Sequence, residues 1–453
     1  MVRIFLQRKR KKRLEQGHPW VFQSEIDHIE GEVIPGEIAE ICNHNGHFLA
    51  KGYINPNSQI FARILTYNPK EEIDTDFFIR RVQEAWDYRR RFLEDTNACR
   101  VIYGEADFLP GLIVDKFADF LVIQVLSLGM EVRKQEIIAA LQTCLQPKGI
   151  YERSDVPVRE LEGLEQTKGL LWGEVPREVE IRENGLKMIV DLEEGQKTGY
   201  FFDQRENRAA IAPLMKGWGE KHGITLQPVG EDGEPLQDRD GRERTGVRPL
   251  LDEQGEPVLR PVDKRHKIVK NPFWDGAEVL ECFSHTGSFT LHACKYGAKK
   301  VTCLDISEHA IETAKKNVTL NGFLHRVEFV VANAFDYLRE QVQAGRLWDV
   351  VILDPPAFAK TKSALLGAYR GYKDINLNGM KLIREGGFLV TASCSYHMRP
   401  EMFMEVIADA ALDAKKILRL VEYRTAGKDH PVIHGAVESE YLKFAIFEVR
   451  SRK

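Results

Sequence analysis

Three short stretches of the chain carry residue types that could do chemistry. The first is Ser393-Cys394-Ser395, directly after an apolar run at 386–392 that reads as a buried strand. A lone cysteine at a strand end is either a small buried hydrophobe or a nucleophile facing a cleft. The second is Asp354-Pro355-Pro356-Ala357-Phe358. Prolines straight after a buried strand cannot donate to a ladder, so they force a rigid exit that fixes the carboxylate and the carbonyls beside it. The third is Glu281-Cys282-Phe283-Ser284-His285-Thr286-Gly287, which reads as a strand-to-helix turn. A pyrophosphate site needs G-x-G-x-x-G, and here Gly287 stands alone, so no dinucleotide is expected. Asp305 follows about 20 residues on, the usual distance for a carboxylate that takes ribose hydroxyls. A nucleoside without phosphates, held by such a turn and carboxylate, points to S-adenosyl-L-methionine. Its expected contacts are Glu281, Phe283, His285, Thr286, Gly287 and Asp305.

An Asp-Pro-Pro-aromatic turn alone implies only methylation of a planar nitrogenous base, since amino-methyltransferases use a similar turn on exocyclic nitrogens. Cys394 changes that reading. It ends the strand after Asp354, and neighbouring strands of a parallel sheet deliver their carboxyl ends to one crevice. A thiolate there could attack C6 of a pyrimidine and make C5 nucleophilic enough to take a methyl group, with Asp354 stabilising the charge that develops near N3. The catalytic candidates are therefore Cys394 and Asp354. Free cysteine titrates near pH 8.5, so proton removal must be assisted.

The elements that must position these residues alternate strictly. Strands are expected at 279–283, 301–305, 327–331 and 350–354, with helices at 288–296, 308–321 and 335–343 between them. This pattern predicts an α/β parallel sheet covered on both faces. The first 73 residues instead carry short β-rich runs at 2–6, 20–22, 36–42, 48–53 and 60–65, the pattern of a small β barrel. Between them, 74–190 reads as a central α+β domain, with a charged helix over 74–92, strands at 111–115 and 120–125, and a helix over 133–145. The third domain is expected over 191–453, interrupted by an insertion at about 216–270. Within it, 230–261 lacks any aromatic residue, and Gly233-Glu234-Pro235 recurs as Gly255-Glu256-Pro257. Such a segment buries little core and predicts surface turns with a hairpin.

Composition narrows the class. With 453 residues, 43% hydrophobic and 29% charged, the chain is long enough for two to four globular domains. Seven cysteines show no C-x-x-C pair, which argues against a structural zinc or disulfide framework and for a reducing compartment. No apolar run approaches the roughly 18 residues of a membrane span, so a cytoplasmic protein without a membrane partner is expected. The net charge of −4 means that affinity for a polyanion must come from a local patch. Arg8-Lys9-Arg10-Lys11-Lys12-Arg13 is such a patch, and phosphate binding by it would be salt-sensitive. Lys360 and Lys362, after the Pro-Pro turn, are further candidates for phosphate contact.

Taken together, Glu281 to Phe289, Asp305, Asp354 to Phe358, Gly371-Tyr372-Lys373-Asp374-Ile375-Asn376, Ser393-Cys394-Ser395 and Asp429-His430-Pro431-Val432 resemble the bacterial 23S ribosomal RNA cytosine-C5 methyltransferases of the large-subunit methyltransferase I type. Upstream, 195–208 is similar to the family segment that closes over the cofactor, and His18-Pro19-Trp20-Val21-Phe22 resembles the start of its N-terminal PUA domain. The resemblance spans nearly the whole chain, but 216–270 has no counterpart in it. It implies a Rossmann-like class I methyltransferase domain with an N-terminal PUA-like β barrel and a central α+β domain. The expected cofactor set then extends to Ile306, Asn333, Ala334, Asp354, Asp203 and Arg205, with no metal. The implied partner is ribosomal RNA, met by Arg8 to Arg13, Trp20, Lys360 and Lys362. Monomer and homodimer both stay open. Two rivals remain: a guanine-N7 or other base-nitrogen RNA methyltransferase, which would need no Cys394, and a non-catalytic RNA-binding assembly factor, against which the intact Glu281, Asp305, Asp354 and Cys394 count.

Overall fold

A computed structural model describes the chain apart from residues 1, 196, 218–222, 239, 253, 270–274, 360 and 453. The chain forms two compact units, Met1–Asn207 with Thr425–Leu442, and Arg208–Arg424 with Lys443–Lys453. The expected boundaries near 73 and 190 both fall inside the first unit, where three separate sheets lie among the described residues, the smallest being the hairpin Glu178–Glu183 with Leu186–Asp191.

The N-terminal sheet of that unit has six strands in the spatial order Trp20–Phe22, Ile60–Thr66, Phe48–Ile54, Ile38–Cys42, Val2–Leu6, Ile26–Glu30. Ile26–Glu30 was not expected: its Asp, His and Glu interrupt the apolar run, because three of its five residues are exposed. Ile4, Leu6, Ile41, Ala50, Ile54 and Ile64 fill the core beneath the sheet. Gly52 is required by close approach, since a Cβ there would meet the Arg63 carbonyl oxygen at 2.1 Å.

The second sheet of the unit runs Thr167–Gly173, Gly149–Ser154, Phe120–Val125, Leu112–Phe117, Ala98–Tyr103. Helices Thr75–Phe92 and Lys134–Leu145 bury Phe77, Phe78, Val82, Ile137 and Leu141 with Val114 and Ile123 of this sheet. Asp74 caps the first helix by accepting the Phe77 N–H at 2.9 Å.

The second unit is built on a seven-stranded sheet. In chain order its strands are β1 (Glu278–Cys282), β2 (Lys300–Asp305), β3 (Val327–Val331), β4 (Trp348–Leu353), β5 (Ile383–Ser393), β6 (Lys416–Arg424) and β7 (Lys443–Ser451). Their spatial order is β3-β2-β1-β4-β5-β7-β6, with the first five parallel and β7 antiparallel to both neighbours. The strand order reverses between β2 and β4 on either side of β1, which is where a doubly wound sheet opens a crevice at its carboxyl edge. Buried apolar runs such as Val350-Val351-Ile352-Leu353 suit strands covered on both faces. Helices Ser288–Lys295, Glu308–Leu320, Ala334–Gln343, Leu365–Lys381 and Pro400–Asp413 supply the cover.

The insertion contains an antiparallel pair, Thr225–Pro228 with Leu259–Val262. Beyond it the backbone repeats one turn three times. Asp238, Asp252 and Asp263 each accept, through Oδ1, the N–H groups two and four residues on, at 2.9 Å. The residue three positions after each is left-handed, at φ +76° for Gly241, +83° for Gly255 and +53° for His266. These aspartates mimic a backbone turn, so each turn holds its shape through local hydrogen bonds, while Val229 and Val262 of the segment are fully buried.

Candidate active site

The loop after β1 is the most constrained backbone near the sheet's carboxyl edge. Phe283, His285 and Gly287 have φ of +65°, +48° and +77°. Left-handed residues at alternate positions turn successive N–H groups toward one side and make a concavity suited to a carboxylate or other anion. Two of the three are not glycine, and such strain is kept where function needs the shape. Gly287 is fixed twice over: its φ is left-handed and a Cβ there would press on the Ala314 Cβ at 3.0 Å.

Asp305, at the end of β2, ties this loop to the next. Its Oδ2 accepts the His285 N–H at 2.8 Å and its Oδ1 accepts the Ser307 N–H at 2.9 Å. Beside it Ile306 is 68% exposed, an apolar surface where a flat base could lie. Asn333 caps the helix Ala334–Gln343 by accepting the Phe335 N–H at 2.9 Å, and Ala334 is buried beneath that turn. Thr286 and His285 stay half-buried at the mouth of the loop.

Glu281 lies near the carboxyl end of β1. It is 1% exposed and accepts a hydrogen bond from the Thr290 hydroxyl. Burial pushes its carboxyl up to about 8, and the nearby Asp354 and Asp305 charges add to the rise. At neutral pH it is therefore mostly a neutral acid at the base of the crevice.

The ends of β4 and β5 meet. Asp354 is half-buried, and the Sγ of the half-buried Cys394 lies 3.9 Å from the carbonyl oxygen of Pro355. Serines flank the cysteine and are fully buried. The Tyr372 hydroxyl lies 2.9 Å from the Ser393 Oγ and 3.0 Å from the Ser395 Oγ, and the Ser395 Oγ also accepts the Ala359 N–H at 3.2 Å. Lys443 on β7, 1% exposed, donates through Nζ to the Ser395 carbonyl at 2.7 Å. Tyr372 and Lys443 thus clamp the loop that presents the thiol. Sequence reasoning did not assign roles to Tyr372, Ser393, Ser395 or Lys443, although the first three lie in stretches already singled out. A further cluster joins Phe283, Phe335 and Phe358, with ring centroids 5.8 to 6.5 Å apart, and Phe358 packs on Tyr372 at 4.7 Å. It forms an apolar wall between the first loop and the proline turn.

Asp203 and Arg205 belong to the first unit, where both are buried in charged contacts. Asp203 accepts from the Tyr441 hydroxyl, and although burial alone would raise its carboxyl, Lys197 and His430 hold it below the usual carboxylate range. Arg205 sits 3.3 Å from Glu183 and 3.4 Å from Asp429 and donates to the Ala98 carbonyl at 2.6 Å. In the same unit the basic run divides. Arg8, Lys9, Lys11 and Lys12 are exposed, whereas Arg10 pairs with Glu15 at 2.6 Å and Arg13 lies over the Phe22 ring at 5.3 Å. Trp20 donates its indole N–H to Glu105 at 2.9 Å. Lys362 is exposed, and Lys360 lies outside the described residues.

Residues 4–67 match the PUA-like domain family, and 244–393 match the family described as conserved hypothetical protein 95. Over 446 aligned residues the chain is 38% identical to ribosomal RNA large subunit methyltransferase I of Escherichia coli O139:H28 and 40% identical to that of Aliivibrio fischeri, covering 98% of each chain in both cases. The chain belongs to the ribosomal RNA large subunit methyltransferase I family. Two solved structures share its fold over 99% of its length and all of theirs, at 19% identity. One, from Streptococcus mutans, is assigned to the SAM-dependent methyltransferases and has a TM-score of 0.73; the other is an assigned methyltransferase complexed with SAH, at 0.74. For a methyltransferase I family member, the crevice beside β1 and the Cys394 loop are the features of the second unit that call for a chemical account.

Proposed function

We propose that the chain methylates C5 of a cytosine in 23S ribosomal RNA, with S-adenosyl-L-methionine as methyl donor and Cys394 as covalent nucleophile. Family membership supports the rRNA substrate and the cofactor. The observation that carries the cytosine reading is Cys394, held beside the Asp354-Pro355-Pro356 turn by two buried serines, Tyr372 and Lys443.

The residues present fit the donor. The left-handed loop from Phe283 to Gly287 offers converging N–H groups, Asp305 an acceptor for ribose hydroxyls, and Ile306 an apolar face for adenine. When bound, the cofactor supplies an electrophilic methyl group. The chain's own work is on the base. The Cys394 thiolate adds to C6, and the electrons of the C5–C6 double bond then become available at C5, which takes the methyl group. Loss of the C5 proton and expulsion of the thiolate restore the ring. Asp354, at the neighbouring strand end, stabilises the charge that grows near N3. Phe283, Phe335 and Phe358 exclude water from one side of the crevice.

RNA containing 5-fluorocytosine blocks the loss of the C5 substituent. The wild-type protein with cofactor should then form a complex that survives denaturation, and Cys394→Ala should form none. Near-normal turnover by that variant, or a methyl group found on guanine N7, would replace this reading with base-nitrogen methylation.

A further inference from the structure

The first unit contains a cleft of about 100 Å³ that the methylation chemistry does not use. Its walls include His18, Trp20, Tyr103, Glu105, Ile113 and Glu438. The Trp20 N–H donates to His18 Nδ1 at 3.2 Å, so that ring's proton sits on Nε2, which donates to Glu438 Oε2 at 3.2 Å. Glu105 is held in turn by the Trp20 indole. Two carboxylates are thus fixed beside aromatic surfaces in a space on the scale of one heterocycle.

We infer that this cleft takes an unpaired nucleobase of the RNA substrate, one that offers N–H donors on its Watson–Crick edge, guanine foremost. Guanine N1–H and N2–H together match the two oxygens of a carboxylate, while the Trp20 and Tyr103 rings supply stacking or edge contacts. Uracil offers one donor between two carbonyls and would set those carbonyls against the carboxylates. A cationic side chain would also suit aromatic and acidic walls, but the electrostatics nearby oppose it. The turn Leu14–Gln16, closed by left-handed Gly17, brings the His18 N–H back to the Arg13 carbonyl at 3.0 Å. The exposed Arg8, Lys9, Lys11 and Lys12 therefore lead directly into the cleft wall, and their field repels a cation and draws a phosphate backbone.

The inference rests on the RNA reading above, and its test separates the two. Fluorescent pentanucleotides UUGUU and UUUUU would be titrated into the full chain at low salt. Wild type should prefer UUGUU by about tenfold, the scale of hydrogen bonds to a charged group. Glu438→Ala should erase the preference by weakening UUGUU binding, with S-adenosylhomocysteine affinity unchanged. Glu438→Gln, which keeps the shape and adds a donor, should shift preference toward uracil. Equal wild-type affinity for both oligomers, an undiminished preference in Glu438→Ala, or displacement of UUGUU by a lysine-rich peptide at matched ionic strength overturns the cleft assignment. Continued rRNA methylation alongside any of these leaves the methyltransferase reading standing; no transfer to any RNA removes that reading itself.

Discussion

The thiol of Cys394 stands 3.9 Å from the carbonyl oxygen of Pro355, so the ends of β5 and β4 present one chemical surface although 39 residues separate them. What keeps the thiol there is the Tyr372 hydroxyl, shared between Ser393 and Ser395. Tyr372→Phe leaves both buried serine hydroxyls short of a partner, at a cost of roughly 1–3 kcal/mol. The expected outcome is a fall in kcat for methyl transfer with unchanged S-adenosylhomocysteine affinity by calorimetry. A variant with full kcat would show that the serines position the loop without the tyrosine.

Asp305 both faces the crevice and holds the His285 and Ser307 N–H groups. Asp305→Ala should weaken S-adenosylhomocysteine binding by at least about tenfold, through lost hydrogen bonds to a charged group and a loosened loop. NAD should bind neither protein. Comparable affinity of wild type for NAD would contradict the single-glycine reading of the turn.

Glu281 makes stability depend on pH in a defined direction. Its folded carboxyl titrates near 8, above its usual value, so the folded state holds the proton more tightly than the unfolded chain. The side chain costs nothing below its unfolded pKa, destabilises increasingly as pH climbs toward 8, and levels off at a penalty of a few kcal/mol, order of magnitude. Glu281→Gln should therefore lose less melting temperature than wild type between pH 5 and pH 8.5. Parallel curves for the two proteins would mean that Glu281 ionises freely.

Four exposed cations of the basic run are available for phosphate. Replacing Arg8, Lys9, Lys11 and Lys12 by serine should flatten the salt dependence of RNA binding by up to about 0.7 in log–log slope per lost contact. S-adenosylhomocysteine binding should not change. An unaltered slope would make the run a solvated face only.

Several features were legible in the sequence because they are local. Alternating apolar strands and helices at 279–354 set the parallel sheet, since each strand's composition already implies burial on both faces. Gly287 and Asp305 stood out at neighbouring strand ends, where the structure joins their loops through the His285 N–H, and the absence of aromatic residues from 230–261 marked a segment of turns. The residues that carry it, Asp238, Asp252 and Asp263, act over only four positions. Other features depended on distance. Nothing in the composition of Thr425–Leu442 assigns it to the first unit, yet Arg100 donates its backbone N–H to Asp429 at 3.1 Å and its guanidinium lies 3.0 Å from His430. Burial raises the Asp429 carboxyl, but Arg205 and His430 together pull it down to about 2. That balance exists only once three separate segments, those of Arg100, Arg205 and Asp429-His430, have come together. The burial of Glu281 belongs to the same class: its sequence neighbours describe a turn beside a cofactor crevice, whereas its chemistry depends on Thr290, Asp305 and Asp354 closing around it. A strand's periodicity is decided by the residues along it. The state of a charged group is decided by how much water the rest of the fold removes.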